Sequence, residues 1–424
     1  MRPISLNRGG PVACSTTLPA ALSTTVTEAA SIFRWPPGAE KARVLGAVLL
    51  LLFAAYAVTT LAVAASKGWP DGFGDSFALW SWGRFVDEHT AASIYDPATL
   101  RSTQLALGMD PAHYHPFAYP PSYLLVLWPL GHLPGWAMCA ALIVVTLPLY
   151  LWATVGRNWR SPALLFALAA PTTTIEIVCG QSSFLAAAFL AGGLRLAAGN
   201  PIVGGMLLGF LTYKPQLGLL VPVALVSARM WRTFAAALLT ACGLVLLTTM
   251  LFGGAIWPAW AAALPAFSHN VPILSSKGLH LMPTIFGAIM QWGAAPAMAL
   301  LPQYAGTAVA AALVWVLFRA GPQPLAGAGL LVAALLATPY AFAYDMPIVA
   351  TAVIWVVAER HRAGDAFGTG ELFILVLAMI APITLVDTNP RYPLPLLSLI
   401  LSLGVIVQRR RRLGGTGAAP SHAG

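Results

Sequence analysis

The sequence predicts an all-α polytopic membrane protein. Three observations carry that prediction. The 424 residues are 58% hydrophobic and only 9% charged, where a soluble globular chain carries about 25% charge. The mean hydropathy is +0.76. The apolar runs are long and continuous instead of alternating, which suits helices and not the strands of a membrane barrel. The net charge of +9 is not a nucleic-acid footprint, because the basic residues stand singly at the ends of apolar runs, where they encode topology. Cys14, Cys139, Cys179 and Cys242 have no paired spacing, so neither a disulfide framework nor a metal site is expected.

The elements follow in order. Residues 1–43 lack the charged region, apolar region and cleavage site of a secretory signal, and are read as a cytoplasmic tail. The membrane domain is expected over 44–408, followed by a basic tail over 409–424. The first span is Val44 to Ala64. A long polar loop then runs from Ser66 to Pro121 and holds Asp71, Asp75, Asp87, Glu88, Asp96 and Asp110, six of the chain's 14 acidic residues. Tyr119-Pro120-Pro121 breaks the backbone, and Pro129 and Pro134 make the next apolar run a surface or re-entrant piece.

The second span is Trp136 to Val155. Spans three and four, Pro162 to Val178 and Phe184 to Leu196, meet at the turn Cys179-Gly180-Gln181-Ser182-Ser183. Spans five and six, Ile202 to Tyr213 and Leu217 to Val226, meet at Lys214-Pro215. A dozen residues rising about 1.5 Å each cannot cross a core of about 30 Å, so these two should end at a polar cavity. Span seven is Ala235 to Phe252. A second loop, Gly253 to His280, carries His269, Lys277 and His280. Leu281 to Leu300 is read as partly re-entrant, and span eight is Gly306 to Leu317. Spans nine and ten flank the segment ending in Tyr344-Asp345. Spans eleven and twelve are Leu372 to Leu385 and Leu394 to Val407.

Twelve spans put both termini on one side. Seventeen basic residues fall on that side and six on the other, so the termini are expected in the cytoplasm. The acidic loop, Gln181, Lys214 and Tyr344-Asp345 then share the extracytoplasmic face. Asp75, among Phe73, Phe77, Trp80 and Trp82, stands where a partly buried base at a membrane surface would be found. The same residues also fit a solvated loop with interfacial aromatics. Asp71, beside Pro70 and Gly72, is the nearest rival and fits a turn. Lys214, Lys277, His269, His280, Arg84 and Arg391 are the outer-face cations.

Taken in order, YDPATL, FAYPPSYLLVLWPLGHLP, GQSSFLAAAFLAGGL, GGMLLGFLTYKPQLGLLVPVAL and ATPYAFAYDMPIVA resemble glycosyltransferase family 87. The resemblance spans about Phe73 to Ala350. It implies a GT-C fold of about 12 transmembrane helices with its site at the extracytoplasmic surface. It also implies a polyprenyl-phosphate sugar donor, mannose above all, a glycolipid or glycan acceptor, and an aspartate in the first outer loop as catalytic base, here Asp75. Tyr119, Gln181, Lys214, Lys277, His280, Tyr344 and Asp345 are the expected substrate-binding residues. Tyr344-Asp345 stands where the family's mannosyltransferases would carry a His-His pair.

The chemistry is consistent with that. Transfer to a hydroxyl needs a base for the acceptor proton, and desolvation raises a carboxylate's proton affinity. A polyprenyl phosphate leaves as a stable anion, so cations around it suffice without a general acid. No Asp-x-Asp triplet and no phosphate-binding glycine loop occurs, so neither a metal nor any other cofactor is expected, nor a nucleotide-bound donor. The rival class is a transporter or flippase, whose signature is broken helices with polar residues at the midplane. No clear inverted repeat supports it, and the acidic residues sit mostly in loops. The expected location is the cell inner membrane.

Overall fold

The computed structural model describes residues 40–69, 74–111, 113–274, 281–321, 323–387 and 393–415. Among these the chain is helical, with no strand. Two compact units part at residues 45/46, within the first helix; the site and the cavity described below lie in the second, residues 46–424.

The first helix, α1, spans Glu40–Ser66. There follow α2 (Gly74–Glu88), a 3-10 turn (Ala91–Tyr95), α3 (Pro97–Ala106), a second 3-10 turn (Pro121–Tyr123), α4 (Leu124–Gly131) and α5 (Gly135–Val155). Next come α6 (Pro162–Ala169), α7 (Pro171–Cys179), α8 (Ser183–Ala197), α9 (Pro201–Gly209), a 3-10 turn (Phe210–Tyr213), α10 (Pro215–Gly218), α11 (Val221–Ser227) and α12 (Trp231–Phe252). The rest comprises α13 (Ile256–Leu274), α14 (Ile285–Gln291), α15 (Pro296–Phe318), α16 (Pro324–Leu336), a 3-10 turn (Ala343–Asp345), α17 (Pro347–Arg362), α18 (Thr369–Ile380), α19 (Ile383–Asp387) and α20 (Leu394–Gly415).

Proline sets many of these starts. It opens α3, α6 and α9 behind caps from Asp96, Ser161 and Asn200, whose side chains accept the N–H groups of Thr99, Ala163 and Val203. Proline costs nothing at a first helical position, where its missing N–H would be an orphan anyway.

Among the described residues, four stretches are long and apolar enough to cross a membrane: Val44–Ser66, Gly135–Val155, Trp231–Phe252 and Pro296–Phe318. At about 1.5 Å per residue each exceeds 30 Å. α6 and α7 together make a fifth candidate, bent by 46° where Pro171 interrupts the ladder. α1 and α12 bury few of their residues, and Leu51, Leu239 and Met250 are each more than two-thirds exposed. Apolar surface of that extent calls for a hydrocarbon solvent. The protein is a helical membrane protein.

α16 is the centre of the core, with every residue from Leu325 to Leu336 buried. It packs against α8, α15, α17 and α20. Polar clasps join helices around it. Thr154 and Thr351 hydroxyls meet at 2.7 Å between α5 and α17, and Trp355 Nε1 donates to the Thr154 carbonyl at 2.9 Å. Where packing has no hydrophobic drive, such bonds and close contacts hold helices together.

The structure changes several expectations. Each of the twelve expected spans is helical, but several helices are far shorter than a crossing. The described residues between Ser66 and Pro121 are folded and not a loop, because α2, a 3-10 turn and α3 make up most of them. The expected loop from Gly253 to His280 is mostly α13, and span eight begins ten residues early, at Pro296. The domain limits at 43/44 and 408/409 fall inside α1 and α20. Arg409 is not in a loose tail, since its Nη2 donates to Asp365 at 2.7 Å. Most of the two expected tails, residues 1–39 and 416–424, lies outside the described residues.

Candidate functional site

Asp75 lies in the first turn of α2 and is partly buried. The partial positive charge of a helix N-terminus favours a carboxylate there. Trp80 Nε1 ties α2 to the Leu133 carbonyl at 2.9 Å, and Trp82 Nε1 ties it to the His115 carbonyl at 3.1 Å. A Cβ on Gly83 would stand 2.3 Å from the Leu127 carbonyl oxygen, so only glycine lets α2 approach α4 this closely. The Gln104 amide donates to the His115 carbonyl at 2.8 Å and accepts its N–H at 3.2 Å. Tyr95 donates to the Tyr119 carbonyl at 2.7 Å. The segment from His115 to Tyr119 is thereby pinned beside α2.

The turn between α7 and α8 meets α2 from the other side. Its Gly180 has φ +65°, and a Cβ there would be 2.7 Å from Ser76 Cβ. Both facts favour glycine. The next residue, Gln181, donates a side-chain hydrogen bond to Asp75. Glu176 Oε1 accepts the N–H groups of Ser183 at 2.5 Å and Phe184 at 3.4 Å, and so caps α8. Its Oε2 is buried without a hydrogen-bond partner.

Ser183 joins this turn to two others. Its hydroxyl donates to Asp345 Oδ1 at 2.7 Å and accepts from Lys214 Nζ at 2.8 Å. Lys214 Nζ also donates to Asp345 Oδ1 at 3.0 Å. Asp345 Oδ2 accepts the Phe342 N–H at 3.1 Å. Lys214 and Asp345 are each 1% exposed, so the pair is dry and fully engaged. The rings of Tyr344 and Tyr119 flank the ammonium at 5.1 and 6.0 Å, within cation–π reach. Pro215 and Pro347, which open the helices after Lys214 and Asp345, keep both residues at helix breaks.

Three carboxylates, Asp75, Glu176 and Asp345, thus gather around one ammonium. Burial is the main cause that pushes the Asp75 carboxyl above the ordinary carboxylate value. The Gln181 hydrogen bond and the fields of His115 and Lys214 oppose the rise, while Asp345 adds to it. Burial pushes the His115 imidazole down, against the pull of Asp75. A desolvated carboxyl of this kind takes a proton more readily than a solvated one.

Of the eight residues singled out in the sequence, Asp75, Tyr119, Gln181, Lys214, Tyr344 and Asp345 come together. Lys277 and His280 lie outside the described residues, as do Asp71, Arg391 and the side chain of His269. Two of the expected outer-face cations, Lys214 and Arg84, are among the described residues. Lys214 is engaged by Asp345, and Arg84 faces Asp87 at 3.9 Å. A buried ammonium without a partner would carry a large desolvation cost. Sequence reasoning missed Glu176, Ser183 and His115. A lone glutamate in an apolar run is itself a signal; Ser183 sits inside the quoted GQSSFLAAAFLAGGL and His115 two residues before the quoted FAYPPSYLLVLWPLGHLP, where nothing local marks them.

The sequence model of glycosyltransferase family 87 matches residues 117–343. It takes in Tyr119, Gln181 and Lys214, and it stops short of Asp75, Tyr344 and Asp345. No curated protein and no solved structure matches the chain. The matched stretch runs without a break over just over half of the chain, and it contains two of the three backbone turns that build the site, so the chain belongs to glycosyltransferase family 87.

Proposed function

We propose that the protein is a GT-C glycosyltransferase with about twelve membrane crossings. It moves a hexose, mannose above all, from a polyprenyl-phosphate donor to a hydroxyl of a glycolipid or glycan. Asp75 is the general base. The observation that carries this reading is the Asp75 carboxyl itself: partly buried at a helix N-terminus, hydrogen-bonded by Gln181, and raised in proton affinity by burial.

The reaction is a single displacement. Asp75 removes the acceptor hydroxyl proton as the oxygen bonds to the sugar's anomeric carbon. The bond from that carbon to the phosphate oxygen breaks with its electron pair, and polyprenyl phosphate leaves as an anion. Gln181 holds the base in register, and the proton later passes from Asp75 to water. Lys214, paired with Asp345, holds the rings of Tyr119 and Tyr344, which line the approach of the leaving phosphate. Lys277 and His280 complete the donor contacts. A metal is not required, because the leaving group is already a stable anion.

The site opens on the extracytoplasmic face in this reading, and the termini lie in the cytoplasm of a cell inner membrane. Two facts support that orientation. The basic residues divide seventeen to six, and the helices that start at the site end in basic residues. α8 runs from Ser183 to a last turn containing Arg195, and α17 ends in Arg360, His361 and Arg362. Cytoplasmic ends collect such charges. The test is to incubate the purified protein in proteoliposomes with polyprenyl-phosphate mannose and membrane lipid extract. The expected result is a mannosylated lipid or glycan together with free polyprenyl phosphate. Transport of intact donor without a new glycosidic bond would overturn the reading.

A further inference from the structure

A cavity of about 380 Å³ lies at the other end of the helices that build the site, between α8, α15, α16 and α17. Arg195 and Arg362 line it beside Trp355, Phe318, Met230 and Gln323. α8 begins at Ser183 in the site and is 15 residues long, so about 20 Å of helix separates the two places. The two are distinct.

The cations here are arranged and not merely present. Arg195 Nε donates to the Ala153 carbonyl at 2.9 Å and its Nη2 to the Thr154 carbonyl at 2.7 Å, at the end of α5. Its guanidinium lies 5.5 Å from the Trp355 ring centre. Arg195 makes no salt bridge among the described residues. Arg362 has one carboxylate, Glu359 at 3.0 Å, which lies on its own helix. Arg410 donates to Gln323 Oε1, an amide that lines the cavity. Two guanidinium groups therefore line the hollow and a third holds the Gln323 amide in its wall, and the described residues supply one carboxylate to the lining pair. The remaining wall is apolar. A guanidinium pair suits a phosphate in geometry and charge, and an apolar wall suits the chain attached to it.

We propose that this cavity binds the phosphate headgroup of an anionic phospholipid, with Arg195 and Arg362 on the phosphate and the acyl stem along Phe318 and Met230. Basic pockets between membrane helices take such headgroups. The site does not depend on the transfer reaction, and its test reads binding alone.

The test is native mass spectrometry of the intact protein released from detergent, with phosphatidylglycerol, phosphatidylcholine or inorganic phosphate added. Wild type should retain one phosphatidylglycerol in preference to phosphatidylcholine. Arg362→Ala should weaken that retention about fivefold, the usual worth of one basic group at a lipid headgroup. Ala198→Trp, which places an indole in the hollow and leaves every charge in place, should abolish it. Lipid-free melting of both variants establishes that they are folded, and if Ala198→Trp unfolds then Arg362→Ala decides. Displacement of the lipid by millimolar inorganic phosphate would assign the site to phosphate as such, and resistance to it would assign the site to the lipid. Equal retention of the two lipids by wild type, or wild-type retention by Arg362→Ala, would overturn the proposal.

Discussion

Asp75 can act as a base only when its carboxyl is ionised, and burial holds that carboxyl above the usual value of about 3.9. Activity should therefore rise with pH through an acid limb that lies above the ordinary carboxylate range. Gln181 donates to the ionised form, so Gln181→Ala should move the limb to still higher pH. A pH profile of kcat/KM for both proteins checks this, and identical limbs would contradict it. Stability has the opposite sign. A carboxyl raised in the folded state contributes stability below its unfolded value and loses it as pH rises through the folded value. Asp75→Asn should thus melt no lower than wild type at neutral pH, with the difference vanishing in acid. Lys214 and Asp345 behave otherwise, because each is the other's partner in a dry site. Lys214→Met or Asp345→Asn alone should destabilise by about 3–5 kcal/mol, and the double variant should recover much of that. Additive losses in a denaturation cycle would show that the two charges are not coupled. Lys214, Gln181, Tyr119 and Tyr344-Asp345 were legible because each breaks an apolar run. The pairing of Lys214 with Asp345 was not, since 131 residues separate them and no local period records such a contact.

The largest misreading of an element was the stretch after the first span. Its acidic residues and glycines suggested a polar loop, yet GDSFALWSWGRFVDE forms α2 and Asp96-Pro97 caps and opens α3. Capping chemistry was visible there, but the absence of a long apolar run concealed the helices. The stretch before His280 failed for a related reason: its prolines and polar residues read as breaks, yet α13 accommodates them. α2 matters because it carries Asp75, and its seat is the Gly83 contact with α4. Gly83→Val would drive side-chain atoms into the Leu127 carbonyl. The expected cost is about 1–3 kcal/mol, together with a turnover loss as Asp75 is displaced from Gln181. Melting and turnover of Gly83→Val measured side by side check both effects. Full turnover with an unchanged melting temperature would show that α2 is seated by other contacts.

At the scale of the whole molecule, composition was enough to identify a helical membrane protein, and long apolar runs located three of the four described helices long enough to cross. The fourth, Pro296–Phe318, was split by its prolines and Gln303 into a re-entrant piece and a short span. The number of crossings was harder to read. α9, α10, α11 and α16 are too short to span alone, and a hydrophobic run reports burial in protein as readily as burial in lipid. α16, sheathed by other helices along its whole length, illustrates the ambiguity. Orientation rests on charge, and it has a direct check. Ala106 is exposed at the end of α3. With the native cysteines removed, Ala106→Cys should react with an impermeant thiol reagent in intact cells. Labelling only after lysis would reverse the topology and move the site to the cytoplasm.

One measurement bears most directly on the central claim, that Asp75 is the base of a sugar transfer. Asp75→Asn keeps the size and hydrogen bonding of the side chain but cannot take a proton from the acceptor. Its turnover with polyprenyl-phosphate mannose should fall by about two to four orders of magnitude, with expression and melting temperature matched to wild type. Near-normal turnover in that folded variant would contradict the account.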